Sequence, residues 1–481
     1  MKIGVGIGLS YPKYTTFVNR GGQTSPFHPS LVDYWSFKGK NNFDKDRDTI
    51  KGIKGEILTA YNFGWSLGSG YGLFKENYLT YNKAQNVFVT NDHSITIMNF
   101  VPANNWILSK YGNSQLNATR IRVTGLTANN QLAYGYSPTN DGARVLMAIP
   151  SDGEYDLPKS VVNTQTYSVG FIVQNALSQN VTIQQIPEYE GAIVTDGIDD
   201  YLKLGKVGYK IGTVIVKYVP IKFLVGWNTV FDNNRYDTPN RNYLGYSSTI
   251  ENRGTTMFVS NYGDYLALYH NTPKQANDSF YISSSYTESF TVKEFFSMAL
   301  YDIAIYQDVL TAEEIQKEIN VMEYGTPNPV FALNFDNFAY KAVDYPDFAT
   351  GKVTTNKIVV DSTTETFNGA IAVAMNPEAD TGEPIEVPSY KIKVTGLNQY
   401  SVGEGNLAVG LMGMMIDSTK DLWTYPISKD GVYDIPAISL SDGIYNLGIM
   451  AQIAINKPIG IEVLYDKNVT KSFPENKQIF P

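Results

Sequence analysis

One pattern of about a hundred residues, the length of a single domain, occurs twice in this chain of 481 residues. Both copies contain the same four segments in the same order. Alternating strand patterns separated by Asp-Gly turns predict that each copy is a small antiparallel β-sandwich. Because neither copy carries a catalytic signature, we interpret the repeated modules as spacers or contact surfaces. The matched pairs are Ile121–Leu126 with Ile392–Leu397, Ser151–Pro158 with Lys429–Pro436, Tyr167–Gln174 with Tyr445–Gln452, and Val181–Ile183 with Ile459–Ile461.

The stretch Gly191–Leu204 predicts a turn at the centre of a larger domain. It begins with the short apolar strand pattern of Ala192–Val194. Asp196-Gly197 then forms a tight-turn dipeptide, because glycine tolerates positive φ. Ile198–Leu204 predicts a second strand after the turn, so we interpret the whole stretch as a β-hairpin.

This stretch resembles the early hairpin of laminin-G-like (concanavalin-A-like) jelly-roll domains. Leu31–Phe37 resembles the first strand of such domains, and Phe295–Tyr306 followed by Leu310–Ile315 resembles their closing strand and helix. The resemblance implies an all-β, concanavalin-A-like jelly-roll sandwich. The first repeat copy lies between the first strand and the hairpin. We therefore predict that it is inserted into the jelly roll, which is tolerated when the ends of an insertion lie close together.

These patterns predict a multi-domain all-β protein with one inserted and one C-terminal copy of the smaller module. A chain of this length is also too long for one ordinary core. The predicted parts are residues 1–29 as an N-terminal arm, 30–90 and 191–340 as the laminin-G-like jelly roll, 91–190 as the inserted module, 341–362 as a connector, 363–468 as the second module, and 469–481 as a C-terminal tail.

One helix is predicted after the closing strand of the jelly roll. Thr311 and Glu314 have the spacing of a capping box. Apolar residues follow at helical spacing and predict a face that packs on the sheet, and Gly325 ends the helix. Val330–Phe335 then predicts a last strand. The apolar residues of the helix are Ile315, Ile319 and Met322.

The N-terminal arm alternates apolar residues with glycine, which is a strand pattern with one face bare of side chains. Such a face lets another backbone approach closely, so the arm is interpreted as a docking strand for assembly. An edge strand folded on its own domain fits the pattern equally well. The assembly residues are Ile3, Gly4, Val5, Gly6, Ile7 and Gly8.

Charge and composition exclude several classes of function. A net charge of −9 and the absence of basic runs argue against nucleic-acid binding. The absence of cysteine excludes disulfides, thiolate metal sites and cysteine nucleophiles. No apolar run reaches the length of a membrane-spanning helix, and no signal peptide is recognised, so membrane insertion is not expected.

The sequence contains no recognisable catalytic signature. The three histidines form no metal-spaced pair, and no Glu-x-Asp-x-Glu strand, nucleophile elbow or phosphate-binding loop occurs. We therefore expect a protein that is not an enzyme and needs no cofactor, with a Ca²⁺ ion as the one candidate ligand of this kind.

The calcium prediction rests on Asp196, Asp199 and Asp200, which supply hard oxygen ligands within one turn. Laminin-G-like domains often hold a cation at rim loops, so the resemblance implies the same. The alternative is that aspartate favours turns through local hydrogen bonds.

A glycine- and aromatic-rich loop, Phe63–Gly72, suggests a second kind of site. Aromatic faces suit pyranose rings, so Trp65 and Tyr71 are predicted glycan contacts. A tight β-corner without ligand is the alternative.

The overall layout resembles head-fibre, decoration or tail-associated proteins of tailed phages, in the style of crAss-like phages. The resemblance implies a structural virion protein that is made in the host cytoplasm and anchored by its N-terminal arm. Its expected partners are capsid, portal or tail proteins, sister subunits in a homo-oligomer, and host surface glycans. The alternative is a carbohydrate-binding adhesin, or lectin, that is not part of a virion.

Overall fold

The structure is a computed structural model, and its N-terminal 24 residues, which include the predicted assembly residues, lie outside the described part of the chain. The chain divides into two compact units, residues 1–319 and 320–481, which we describe separately. The described residues are 25–74, 82–83, 87–91, 93–98, 101–110, 116–129, 131–139, 143–161, 169–206, 208–233, 240–276, 278–286, 292–331, 333, 349–363, 369–375, 385–397, 400, 409–414, 424–425, 427, 429–440, 446–451 and 455–469.

The fold is all-β with a single helix in the described part of the chain, which confirms the predicted fold class of a multi-domain β-sandwich protein. The first strands are β1 (Leu31–Ser36), β2 (Thr49–Lys51), β3 (Ile57–Tyr61) and β4 (Gly70–Tyr71). Ten strands follow, β5 (Asn82–Lys83), β6 (Val87–Asn91), β7 (Ser94–Ile97), β8 (Asn105–Lys110), β9 (Thr119–Thr124), β10 (Leu132–Tyr136), β11 (Val145–Ile149), β12 (Gly153–Leu157), β13 (Val169–Val173) and β14 (Val181–Ile186).

Among the described residues that follow, there are twelve strands, helix α1 (Ala312–Tyr324) and then eleven further strands. The twelve are β15 (Ile193–Val194), β16 (Tyr201–Lys206), β17 (Lys210–Lys222), β18 (Trp227–Asn233), β19 (Asn242–Ser247), β20 (Arg253–Thr255), β21 (Phe258–Tyr262), β22 (Tyr265–Gln275), β23 (Ser279–Ile282), β24 (Ser285–Tyr286), β25 (Val292–Lys293) and β26 (Ser297–Tyr306). The last eleven are β27 (Ala349–Thr354), β28 (Lys357–Thr363), β29 (Gly369–Met375), β30 (Ile385–Val387), β31 (Tyr390–Thr395), β32 (Val409–Met414), β33 (Thr424–Tyr425), β34 (Gly431–Ile435), β35 (Ile438–Leu440), β36 (Asn446–Ala451) and β37 (Ile459–Val463).

Two seven-stranded antiparallel sheets form the large sandwich in the described part of the chain, which comprises β1–β4, β15–β23 and β26, while β24 and β25 form a separate two-stranded sheet. Sheet I has the order β21-β22-β17-β26-β15-β4, and β1 also pairs with β26. Sheet II has the order β2-β3-β16-β23-β18-β19-β20. Apolar side chains from both sheets fill the space between them, and Trp35, Phe231 and Phe280 are among the largest that are fully buried. This core positions the turns at the rim of the sandwich.

The predicted hairpin at Gly191–Leu204 is wrong in its pairing. β15 pairs with β26 and β4 in sheet I, whereas β16 pairs with β3 and β23 in sheet II. Because both edges of β15 are occupied, β16 has no free edge to pair with. Ile198, predicted as a strand residue, lies in the connecting turn and is 73% exposed. The segment therefore crosses from one sheet to the other.

The inserted sandwich, β5–β14, consists of two five-stranded sheets with the orders β12-β9-β14-β7-β6 and β11-β10-β13-β8-β5. Its ends lie together, because β4 pairs with β15 and the N–H of Gly72 donates to the carbonyl of Ala192 at 2.8 Å. Its first strand, β5, precedes the boundary predicted at residue 90, because the sequence of this short strand carries no turn or repeat signal.

The C-terminal sandwich lies within β27–β37 and repeats the topology of the inserted one in its two larger sheets, while β30 and β35 form an additional two-stranded sheet. Its five-stranded sheet, β34-β31-β37-β28-β27, matches β12-β9-β14-β7-β6 strand for strand. Its four-stranded sheet, β33-β32-β36-β29, likewise matches β11-β10-β13-β8. The repeat in sequence therefore corresponds to a repeat in strand order. β27 and most of β28 fall within the predicted connector, so these residues belong to the sheet.

The shared segments of the repeat make the same hydrogen bonds in both copies. Asp152 accepts the backbone N–H of Leu126 at 2.7 Å, and Asp430 accepts that of Leu397. The Tyr155 and Tyr433 hydroxyls each donate to the carbonyl four residues earlier, both at 2.6 Å. The repeated motif is thus explained by turn geometry.

Helix α1 forms as predicted. Its capping box is present, since the N–H of Thr311 donates to Glu314 at 2.8 Å and the N–H of Glu314 donates to the Thr311 hydroxyl at 3.3 Å. The apolar face of the helix is buried, and Gly325 follows its end at φ +75°. The strand predicted at Val330–Phe335 is absent at its described residues, where Phe331 instead packs against Tyr324. No helix in the described part of the chain is long and apolar enough to cross a membrane.

Candidate functional site at the aspartate turn

The aspartate turn, Asp196–Asp200, crosses between the two sheets at the rim of the large sandwich. The Oδ1 atom of Asp196 accepts the N–H of Ile198 at 2.7 Å, which closes a local turn. Gly197 adopts φ +78°, and a Cβ there would lie 2.9 Å from the backbone nitrogen of Ser297. Asp200 is fully buried, and its Oδ2 accepts the N–H of Asp196 at 2.9 Å. The turn therefore closes on itself around one buried carboxylate.

This turn brings together the three predicted metal ligands. One carboxylate oxygen from each of Asp196, Asp199 and Asp200 lies within 4.8 Å of the others. Asp199 is exposed, Asp196 is half-buried and Asp200 is buried, so the cluster is open on one side. Within the described part of the chain, it is the one group of this kind. Carboxylate oxygens suit Ca²⁺, which takes six to eight oxygen ligands and can complete its shell with water.

One oxygen of Asp200 fits a cation more directly than the cluster alone does. Its Oδ1 atom is buried and has no hydrogen-bond partner among the described residues. A buried carboxylate oxygen without a partner is costly, because it has lost its hydration without replacement. A bound cation would satisfy this atom.

The electrostatics of the turn favour the same interpretation. Burial, together with the negative charges of Asp196 and Asp199, raises the pKa of Asp200 to about 6, although the N–H of Asp196 and the Ser69 side chain partly offset this rise. Without a bound cation, the negative charge of Asp200 is therefore unfavourable at neutral pH. A divalent cation would reverse this effect, because it stabilises ionised carboxylates.

The predicted glycan contacts divide between rim and core. The loop that carries them meets the aspartate turn, because the Asn62 side-chain amide donates to the carbonyl of Asp199 at 2.9 Å. Trp65 is half-buried, with φ +51°, and its ring lies 5.1 Å from that of Phe63. The Arg47 guanidinium lies 5.5 Å above the Trp65 ring. Trp65 thus packs partly against the core of the large sandwich, in a loop that reaches the aspartate turn through Asn62.

Tyr71 is a core residue rather than a surface residue. It is 4% exposed, its hydroxyl donates to the carbonyl of Arg47 at 2.7 Å, and its N–H donates to Asn42 at 2.6 Å. Its ring therefore offers no face to a sugar in this structure. The loop sequence did not reveal this burial, since it depends on the packing of β4 between β15 and the sandwich core.

Sequence reasoning missed a second group of polar and aromatic residues on sheet II. Asp232 and Arg241 form a buried ion pair with N···O distances of 2.8 and 3.0 Å. The polar and aromatic composition of Phe231–Asn233 is typical of a loop, but these residues belong to β18. The rings of Tyr61 and Tyr201 stack at 4.9 Å. The alternation of polar and apolar residues in β16 predicts that the Tyr201 side chain points away from the core. Only the register of the paired strands identifies the residues beside it.

Two of the three histidines are buried, and the contacts described for them are structural. The His270 Nε2 atom lies 2.8 Å from the Asn242 side-chain oxygen, and burial lowers the His270 pKa to about 4. The His93 ring stacks on Phe74 with the centroids 3.5 Å apart.

Comparisons with known proteins place the chain in no family. No family model matches the sequence, and no curated protein matches it. A solved structure from an archaeal virus with a triple jelly-roll fold and turret assembly shows 11% identity over 92% of this chain and 97% of that chain, with a TM-score of 0.13. One from Sulfolobus turreted icosahedral virus shows 10% identity over 92% of this chain and 98% of that chain, with a TM-score of 0.14. One from the lipid-containing bacteriophage PM2 shows 11% identity over 78% of this chain and 100% of that chain, with a TM-score of 0.13. Because these TM-scores are very low, the similarities carry no argument here.

Proposed function

We propose that this protein is a structural component of a tailed-phage virion, either a head fibre, a capsid decoration or a tail-associated protein, and that it has no catalytic role. The observation that carries the proposal is the duplicated sandwich. Two modules with one strand order and the same turn hydrogen bonds accompany a larger sandwich. Repeated modules of this kind extend a chain and present surfaces, because each needs only its own core for stability.

The proposed anchor is the N-terminal arm, and the contacts of Phe27 and His28 limit how far a deletion that tests it can extend. Phe27 is buried, with its ring 5.3 Å from that of Tyr34, and the N–H of His28 donates to Glu318 at 2.9 Å. Removing these residues would disturb the large sandwich itself. A deletion of residues 1–24 leaves both contacts in place and is therefore the appropriate variant.

The experiment is mass spectrometry and cryo-electron microscopy of particles purified from cells that express either the full chain or the deletion. We expect the full chain to co-purify at a fixed copy number and the deletion to be lost from particles while remaining folded. A matched control removes residues 470–481 and should still be incorporated. Absence of the full chain from particles would refute the virion proposal. Incorporation of the 1–24 deletion would refute the arm as anchor.

A second candidate function is that of a cation-dependent carbohydrate-binding adhesin, favoured by the hydrogen bond that joins the loop carrying Trp65 to the aspartate turn through Asn62. A calcium ion at this turn would hold Asp199 and the adjoining loop in one arrangement. We expect Trp65→Ala to abolish glycan-array signals that also disappear on calcium chelation. Trp106→Ala, a half-buried tryptophan of the inserted sandwich, is the matched control. Arrays that stay blank with calcium present argue against this candidate.

A further inference from the structure

The outer face of sheet II carries a row of tyrosines and charged residues. Leu202, Phe280 and Phe231 face the core. Side chains alternate along a strand, so Tyr201, Lys203, Tyr281 and Asp232, which each adjoin one of these three, point outwards. Cross-strand pairing aligns Lys203 with Tyr281, Tyr281 with Asp232, and Asp232 with Tyr243, while Tyr201 pairs with Tyr61. We call these residues the tyrosine row, which consists of Tyr61, Tyr201, Lys203, Tyr281, Asp232 and Tyr243.

The tyrosine row is closed at one end and open at the other. Tyr243 is 7% exposed and Tyr281 is 5% exposed, whereas Tyr61 is 38% exposed and Tyr201 is half-buried. The Tyr61 and Tyr201 rings are nearly parallel, with an interplanar angle of 9°. Tyr281 lies next, with its ring centroid 6.1 Å from that of Tyr201. The open end is therefore a stack of aromatic rings that reaches solvent at Tyr61.

The closed end is held by the buried ion pair. The Arg241 guanidinium binds Asp232 through two nitrogen atoms and lies 4.0 Å from the Tyr243 ring centroid. Asp232 and Arg241 are both almost fully buried, so their hydrogen bonds fix the strand ends around them. This end therefore provides a rigid base for the tyrosines.

The open end carries hydrogen-bonding groups that the protein does not use. Neither the Tyr61 nor the Tyr201 hydroxyl has a hydrogen-bond partner within the described part of the chain. The Lys203 ammonium lies 5.4 Å above the Tyr281 ring and has no acidic partner among the described residues. Cross-strand stacking alone would stabilise the sheet. It does not require an accessible ring face beside free hydroxyls and an unpaired ammonium.

We propose that the open end of the tyrosine row binds a neutral carbohydrate. The exposed face of Tyr61 suits the C–H face of a pyranose ring, and the two phenols and Lys203 suit its hydroxyls. An acidic sugar is disfavoured, because Asn62 and Asp200, the neighbours of the stacked tyrosines, belong to the rim where three aspartates cluster. This site depends neither on a virion location nor on Trp65.

The test uses the purified full-length chain on an array of neutral and acidic glycans, followed by titration calorimetry with the best neutral ligand. Tyr201→Ala and Tyr61→Ala should each weaken binding about three- to tenfold, the range expected from loss of one aromatic contact. Tyr201→Phe should stay within about threefold of wild type, because it keeps the ring. Tyr262→Ala, a half-buried tyrosine of sheet I, is the matched control and should bind as wild type does.

Three outcomes would overturn the proposal. They are an array on which no neutral glycan binds, binding confined to acidic glycans, and unchanged affinity in a folded Tyr201→Ala variant. If binding is lost in Trp65→Ala but not in Tyr201→Ala, the sugar binds at the rim instead. None of these results depends on whether the protein is found in particles, so the two proposals fail separately.

Discussion

Replacing the buried aspartate of the aspartate turn should stabilise the protein at neutral pH. The pKa of Asp200 is about 6 in the folded protein, compared with an ordinary value of 3.8, chiefly because of burial. Between these two values the folded state holds a proton that the unfolded state has released. Stability therefore falls as pH rises through this window and stays low above it. A pKa difference of about 2 corresponds to about 3 kcal/mol, since one pKa unit equals about 1.4 kcal/mol.

The perturbation is Asp200→Asn, which keeps an oxygen able to accept the N–H of Asp196 but carries no charge. Without added cation, we expect this variant to be up to about 3 kcal/mol more stable than wild type at pH 7.5. The advantage should shrink to about 0.5 kcal/mol by pH 4, where Asp200 is protonated in the folded state and a little under half protonated in the unfolded state. Hydrogen exchange of the amides in β15 and β16 measures the opening free energy of the large sandwich directly, without assuming two-state unfolding of the whole chain.

The control is Asp361→Asn, which removes an exposed aspartate of the C-terminal sandwich and should leave exchange in the large sandwich unchanged at both pH values. The reasoning is refuted if Asp200→Asn has the same effect at pH 4 and pH 7.5, or if it destabilises the protein at pH 7.5. Calcium provides a second readout. At about 100 times its dissociation constant it should stabilise wild type by about 2.7 kcal/mol at pH 7.5, and Asp200→Asn should gain less.

Three further predictions concern the turns and the helix cap. Gly125→Ala should destabilise the inserted sandwich by more than about 1 kcal/mol, because Gly125 has φ +103° and an added Cβ would lie 2.2 Å from the Asn180 carbonyl oxygen. Unchanged hydrogen exchange of the β9 amides would contradict this prediction. Thr311→Ala should cost about 1 kcal/mol through loss of the helix cap, measured by exchange in α1, and Thr311→Ser should restore it. Tyr155→Phe and Tyr433→Phe should each lower the unfolding free energy of their own sandwich by about 1 kcal/mol, because each removes the hydroxyl that bonds the turn. Calorimetry should show each change in a separate unfolding transition, and an effect in only one copy would contradict the shared role.

The sequence predicted those elements whose signal is local. The capping box and apolar stripe of α1 identify the helix from its own residues, and the structure confirms both. The repeat is also readable from sequence, because equal turn chemistry requires equal residues, as at Asp152 and Asp430. The physical reason is that turns and caps depend on hydrogen bonds between near neighbours in the chain.

The predictions that went wrong depended on partners far away in sequence. The apolar pattern at Val330–Phe335 is typical of a strand, but among its described residues Phe331 packs its ring against Tyr324 instead of pairing in a sheet. The aromatic pattern around Tyr71 is typical of a surface loop as much as of a core. Only the contacts of Tyr71 with residues brought together by folding distinguish the two.

The sequence by itself determined the all-β class, the repeated module, the single capped helix and the presence of three aspartates in one turn. Tertiary structure decided that this turn crosses between two sheets rather than closing a hairpin, and that Asp200 is buried within it. It also decided that Tyr61 and Tyr201, which are 140 residues apart along the chain, stack on one face. Residue types and local spacing set the chemistry that is available. Strand register and burial set which groups meet, because they depend on pairing between segments that no local pattern specifies.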